Sequence, residues 1–201
     1  MKTEENRQLI THKIIISPRH FKIHYNMPTN IPMVNIMKVE ILAKTIVLTG
    51  MALWMSVIVF NNIFDPGTNI YNIENTITLN LLKDDPTLGI GLRWRAWPSQ
   101  YAGILLYLVI AYQLITVSLF WFSSYRYLSV LHNTLSEEKA IKTTNMTLAL
   151  FSIEWFFFLI GGSWFGYWIK QGPITGVHIN MLLFTLVLFV FFNQKIAEVT
   201  N

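Results

Sequence analysis

Four long apolar stretches dominate the chain, at about residues 41–62, 101–123, 145–168 and 177–193, and the segments between them are polar. Each is close to the ~20 residues that carry a helix across ~30 Å of hydrocarbon at ~1.5 Å per residue. The second contains no charge; the first and third carry one each, Lys44 near an end and Glu154 further in. Core helices of a soluble protein would instead repeat a polar stripe every three to four positions. The pattern predicts an all-α membrane protein, a four-transmembrane-helix bundle.

The connections carry their own signals. Between the first two stretches, Asp65-Pro66-Gly67 marks a turn, after which Ile70, Ile73, Ile77 and Leu81 recur at helical spacing until Asp84-Asp85-Pro86. This outer loop is therefore expected to be partly helical, lying on the membrane surface or across the span ends. The connection from Lys170 to Gly176 is so short that spans three and four must be antiparallel neighbours. Thr134 and Glu137 have capping-box spacing, which predicts a third helix that starts before the bilayer.

Three segments follow along the chain: a basic extension over 1–36, the transmembrane domain over 37–195 and a short tail over 196–201. The extension contains Pro18, Pro28 and Pro32 and is expected to be disordered; its Lys13-Ile14-Ile15-Ile16 run is too short to anchor it firmly. Met37-Lys38 directly precedes the first span and offers an alternative start. The first apolar region is too long for a signal peptide and lacks a small-residue cleavage pattern.

Composition agrees with the hydropathy. Residues are 53% hydrophobic, 14% aromatic and only 13% charged, against ~25% charged in soluble domains. With no cysteine, disulfides and thiolate chemistry are excluded. The net charge of +4 does not call for nucleic acid as a partner, because basic residues also fix membrane orientation. Lys2, Arg7, Lys13, Arg19, Lys22, Lys38 and Lys44, then Arg126, Lys139 and Lys142, then Lys195 lie on one side; the other has Lys83, Arg93, Arg95 and Lys170. Positive residues stay inside, so both termini are expected in the cytoplasm. Trp94, Trp97, Trp164 and Trp168 would then mark the outer interface and Trp121 the inner one.

Two groups of polar residues are candidates for function. Counted by depth, Thr49, Gln113, Glu154 and Thr185 fall within about a turn of one level and form a candidate intramembrane polar layer. A charged carboxylate near midplane costs roughly 2.5–3.5 kcal/mol, so Glu154 is expected to face the interior, protonated or bonded to Gln113. The layer reads first as a structural clamp and second as a proton relay. At the outer surface, Asn61, Asn62, Asp65, Asn69, Arg93, Arg95, Ser163 and His178 can reach one side of the bundle. There an Asp65–Arg95 salt bridge pinning the loop is the structural reading, and a shallow pocket for a lipid headgroup, quinone or small solute the functional one.

No catalytic residues, metal site or cofactor are predicted. His12, His20 and His24 lie in the extension and His132 in a loop, which leaves His178 alone near a span; bis-histidine haem ligation needs two. Hydrolase, nucleotide-binding and zinc-protease motifs are lacking.

The run Val59-Phe60-Asn61-Asn62-Ile63-Phe64-Asp65 with Asn69, then Trp94-Arg95-Ala96, then Gly161-Gly162-Ser163-Trp164-Phe165 with Trp168, resembles the bacterial small integral membrane proteins of domain-of-unknown-function family 2165. The resemblance covers about residues 37–193. It implies a four-span protein of a bacterial inner membrane and brings no established activity with it. Relatives typically carry Glu after the Gly-Gly pair and in span two, where this chain has Ser163 and Gln113. Any proton- or ion-carrying role of those carboxylates does not transfer.

Three functional classes remain, in this order: a non-catalytic subunit, scaffold or assembly partner of a membrane complex, whose partner is another membrane protein or a second copy; a small-solute or ion transporter using the polar layer; and a quinone- or lipid-binding protein. The aromatic run Trp155-Phe156-Phe157-Phe158 motivates the first.

Overall fold

A computed structural model describes residues 33–194, of which 37–194 are described with their side chains. Most of the extension, with His12, His20, His24 and the Lys13–Ile16 run, and the tail from residue 195, lie outside the described residues.

Among the described residues five α-helices follow in order: α1 (Met33–Phe64), α2 (Pro66–Ile77), α3 (Tyr101–Leu131), α4 (Glu137–Trp164) and α5 (Gly172–Asn193). Short 3-10 turns occupy Asn80–Leu82, Ile90–Arg95 and Tyr167–Ile169. α1, α3, α4 and α5 are each long and apolar enough to cross a membrane. Even the shortest, with 22 residues, spans about 33 Å. Helices suit these segments because a backbone in hydrocarbon must satisfy its own polar groups.

The helices pack in sequence order, α1 on α3, α3 on α4 and α4 on α5, while α2 lies on α3. The main core is built from Leu48, Ala52 and Met55 of α1, Phe120 and Tyr127 of α3, and facing residues of α4 and α5 such as Phe151 and Phe192. Opposite faces are strongly apolar and exposed, as at Ile46, Leu108, Phe157 and Val187, which suits contact with lipid. One end of the bundle carries α2, the 3-10 turns and the α4–α5 connection; it is called the cap end below. The other carries the tight α3–α4 connection and is called the hairpin end.

Several details differ from the hydropathy reading: α1 begins at Met33 and α5 at Gly172, ahead of the predicted 41 and 177. α3 continues to Leu131, two turns past the predicted span, because its last turns are helix-compatible even where polar. α4 stops at Trp164 rather than 168, since Gly166 takes a left-handed φ of 68° just after the cap residue. α2 ends at Ile77, where Thr78 turns its hydroxyl back onto the Glu74 carbonyl and Leu79 adopts a φ of 55°. That break shifts the buried positions to Leu79 and Leu82 and leaves Leu81 exposed. Finally, Thr134 does not cap α4: its hydroxyl donates to the Ser129 carbonyl, and Glu137 is engaged by Lys44 instead.

The cap is held by a second small core, with Ile77, Leu79, Leu82, Ala102 and Phe165 buried together. Polar ties reinforce it. Thr76 donates to Gln171 at 2.7 Å, Gln171 donates to the Asn72 carbonyl at 3.2 Å, and the Trp97 amide donates to the Ile77 carbonyl at 2.8 Å. Lys170 pairs with Asp85 at 2.9 Å. The Leu88 amide, the Lys170 ammonium and the Thr87 amide hold the Asp85 carboxyl down to about 2, well below its ordinary value.

Candidate functional site

Asn62 stands at the last turn of α1, and its side chain is turned into the bundle and buried. From it a chain of side-chain hydrogen bonds runs through four helices. Asn69 of α2 donates to Asn62 at 2.6 Å, Asn62 donates to Gln113 of α3 at 2.8 Å, and Gln113 donates to Glu154 Oε1 of α4 at 2.7 Å. Every amide in the series gives an N–H in one direction, and the series ends on the carboxyl. Glu154 is 4% exposed, and its second oxygen, Oε2, is buried with no hydrogen-bond partner. A buried polar atom left unpaired costs about 1–3 kcal/mol, so a bare Oε2 calls for an explanation.

Beside that carboxyl lies a crevice of about 350 Å³ between α3 and α4. Glu154 lines it, with Leu105, Val109 and Tyr112 on one wall and Phe157 and Phe158 on the other. Leu108 and Ile153 stand at its mouth, both more than half exposed on the apolar outside of the bundle. The crevice therefore opens on the exposed apolar face of the bundle. The Tyr112 hydroxyl is taken, donating to the Leu150 carbonyl at 2.8 Å and bracing α3 against α4.

Behind the crevice, Phe158 stacks on His178 of α5 with ring centroids 4.9 Å apart, and Tyr167 stacks on the same imidazole at 5.8 Å. Gly162 makes room for this: a Cβ there would lie 2.7 Å from the Tyr167 ring. The second glycine of the Gly161-Gly162 pair is thus needed where the chain folds back between α4 and α5.

The two predicted polar groups are distributed differently from the sequence reading. Gln113 and Glu154 are in direct contact, while Thr49 sits nearer the hairpin end and shares a 2.7 Å hydrogen bond with Ser124. Thr185 is fully buried and turns back onto the Met181 carbonyl of its own helix. Of the outer group, Asn62 and Asn69 join the chain to Glu154. Asp65 accepts from Thr68, and Arg95 is held away from it, donating to the Trp164 carbonyl with its guanidinium 4.4 Å from the Trp164 ring. The expected Asp65–Arg95 bridge is replaced by this aromatic cradle, which suits a planar cation. Arg93 reaches the Asp85 carbonyl, and Asn61 and Ser163 are exposed.

Sequence reasoning missed a buried ion-pair cluster at the hairpin end. Lys44, 1% exposed, lies 2.5 Å from Glu40 and 2.8 Å from Glu137. The Glu40–Lys44 spacing of four was the available signal; Glu137 lies 93 residues away and had none. Among the described residues, no group of three or more His, Cys, Asp or Glu is placed to hold a metal ion.

The family model described as "Predicted small integral membrane protein (DUF2165)" matches residues 40–195, and the chain belongs to this family. No curated protein and no solved structure matches it.

Proposed function

We propose that this member of the family is a non-catalytic membrane protein that takes an amphiphile from the bilayer into the α3–α4 crevice and holds its polar end at Glu154. The observation that carries the reading is the buried, unpartnered Oε2 of Glu154, a residue that lines an apolar crevice, so that a ligand would reach this oxygen through a small shift of the side chains covering it. A volume of about 350 Å³ falls within the ~300–1,000 Å³ range of small-molecule sites and suits a ring or part of an alkyl chain. Glu154 lies ten residues before the last residue of α4, about 15 Å along the helix and so near the middle of ~30 Å of hydrocarbon. The Asn69–Asn62–Gln113 series orients the carboxyl by occupying Oε1, which leaves Oε2 for the ligand.

The reading keeps the orientation drawn from the charges, with the hairpin end in the cytoplasm. Because the chain has no cysteine, single cysteines at Thr87 and Asn133 test this directly. An impermeant maleimide added outside sealed spheroplasts should label the first and spare the second; the reverse pattern inverts the topology.

Native mass spectrometry of the protein released from mild detergent tests the function. The wild type should retain a stoichiometric amphiphile, and Val109→Trp, which fills the crevice, should reduce retention about tenfold or more with the protein still folded. Equal retention by both proteins would remove the crevice from the account. The exposed Phe156 and Phe157 support a second reading, in which the same protein is a subunit of a larger complex. A stoichiometric protein partner in the same spectrum would favour it.

A further inference from the structure

The amphiphile reading leaves the polar end of the ligand unspecified, and the charges around the crevice narrow it. Four other acidic side chains of the bundle and its cap meet a cation: Glu40 and Glu137 share Lys44, Glu138 pairs with Lys142, and Asp85 pairs with Lys170; Asp65, Glu74 and Asp84 are in no ion pair but, unlike Glu154, are exposed or half-buried. Glu154 is more deeply buried than any of these carboxylates, yet none of these ion pairs includes it. Its one hydrogen bond comes from a neutral amide.

Three of the residues that line the crevice with it are aromatic. Tyr112, Phe157 and Phe158 line the same crevice as the carboxyl. An aromatic face carries negative potential and attracts a cation, most strongly where water is excluded. A carboxyl in low dielectric does the same, and an ion pair formed there is much stronger than in water. A fatty acid would bring a second carboxyl to the first with no cation to separate them. A plain alcohol would satisfy Oε2 and make no use of the rings. A cation uses both, and supplies the counter-charge that an ionised carboxyl at this depth requires. Leu105, Leu108, Val109 and Ile153 are left for an alkyl or aryl body.

We propose that the crevice between α3 and α4 binds lipophilic cations, an amine or quaternary ammonium carried on a hydrophobic body, with the positive head between Glu154 and the rings of Tyr112, Phe157 and Phe158. This inference rests on the amphiphile reading above, and the experiment separates the two.

Three photoactivatable probes with the same sixteen-carbon chain and a mid-chain diazirine, ending in an ammonium, a hydroxyl or a carboxylate, are presented to the full chain in phosphatidylcholine nanodiscs, which carry no net lipid charge. Crosslinks are mapped by peptide. The ammonium probe should label residues 105–112 and 153–158 about fivefold or more above the hydroxyl probe, with the carboxylate lowest. Glu154→Gln, which keeps the bond from Gln113, should bring ammonium and hydroxyl labelling within about twofold of each other. Equal labelling by ammonium and hydroxyl in the wild type overturns the cation inference and leaves the amphiphile site standing. No labelling above background by any probe overturns both. An ammonium preference that survives in Glu154→Gln also overturns the inference, since the selectivity then lies elsewhere.

Discussion

Lys44 and Glu154 are both ionisable side chains buried to within a few per cent, and the bundle treats them in opposite ways. Lys44, at the hairpin end, is held between two carboxylates that are themselves a quarter to a third exposed, so its charge is compensated and its partners stay partly solvated. Glu154 is reached by one amide and keeps an oxygen with no partner, next to an open crevice. Between the two, Phe120 and Phe151 meet edge to face at 5.3 Å with both rings fully buried. A charge enclosed by its counter-charges holds helices together; a carboxyl left half-satisfied is disposed for something that is not part of the chain. On the proposal above, the hairpin-end cluster is structural and the carboxyl near the middle of the bundle meets the ligand.

The largest expected effect is at the hairpin end. Replacing both Glu40 and Glu137 by Gln leaves the Lys44 ammonium buried without a counter-charge, which should destabilise the protein by about 3–5 kcal/mol. Unfolding in graded mixtures of mild detergent and dodecyl sulfate reads this directly. A loss below about 1 kcal/mol would mean that Lys44 escapes to water and that the hairpin-end cluster does not fasten α1 to α4. In that case the contrast between the two groups collapses.

At the Glu154 carboxyl the two partners of one hydrogen bond should differ. Gln113→Leu strands both Asn62 and Glu154, and is expected to destabilise by about 1–3 kcal/mol. Glu154→Gln keeps an acceptor for the Gln113 amide and removes only the acid, so stability should change by no more than about 0.6 kcal/mol, the average for an interhelical hydrogen bond in a membrane. Amphiphile binding should nevertheless fall in that variant. If Glu154→Gln proved as damaging as Gln113→Leu, the carboxyl would be a structural clamp like the one at the hairpin end.

Much of this arrangement could be read from residues in order. Continuous apolar runs of about 20 residues leave helices as the natural way to span, so the four-helix bundle and its connections followed from hydropathy. The Gln113–Glu154 contact was reachable too, because both residues are polar, isolated and at matching depth. The link from Asn62 was not, since depth counting placed Asn62 at the surface and gave no sign that its side chain turns inward to Gln113. Nor was the aromatic cradle of Arg95: charge alone pairs Arg95 with Asp65, whereas the fold brings Trp164 beside it across 69 residues. Crevices between helices depend on how side chains interlock and leave no periodic trace. Boundaries failed where one residue leaves helical φ, as at Leu79 and Gly166.

The smallest effect belongs to the cap, where an ion pair with an exposed ammonium and a half-buried carboxylate provides the control for both buried groups. Asp85 is held down to about 2 from its ordinary 3.8 by the Leu88 amide first, and by Lys170 and the Thr87 amide. A depressed acid contributes stability that is fully present above the unfolded value and is lost as pH falls through the folded one. The Lys170–Asp85 tie should therefore be constant from about pH 8 to 5 and be lost as pH falls from about 4 to 2. Carboxyl carbon chemical shifts of Asp85 follow it, with Asp85→Asn as the silent reference. Because the Lys170 ammonium is 40% exposed whereas that of Lys44 is 1% exposed, the cap pair is the more screened by salt, so 0.5 M NaCl should raise the Asp85 midpoint toward its ordinary value and affect the Lys44 cluster less. If salt loosens the Lys44 cluster equally, the Lys44 ammonium itself is in contact with solvent, and the enclosure that sets it apart is not there.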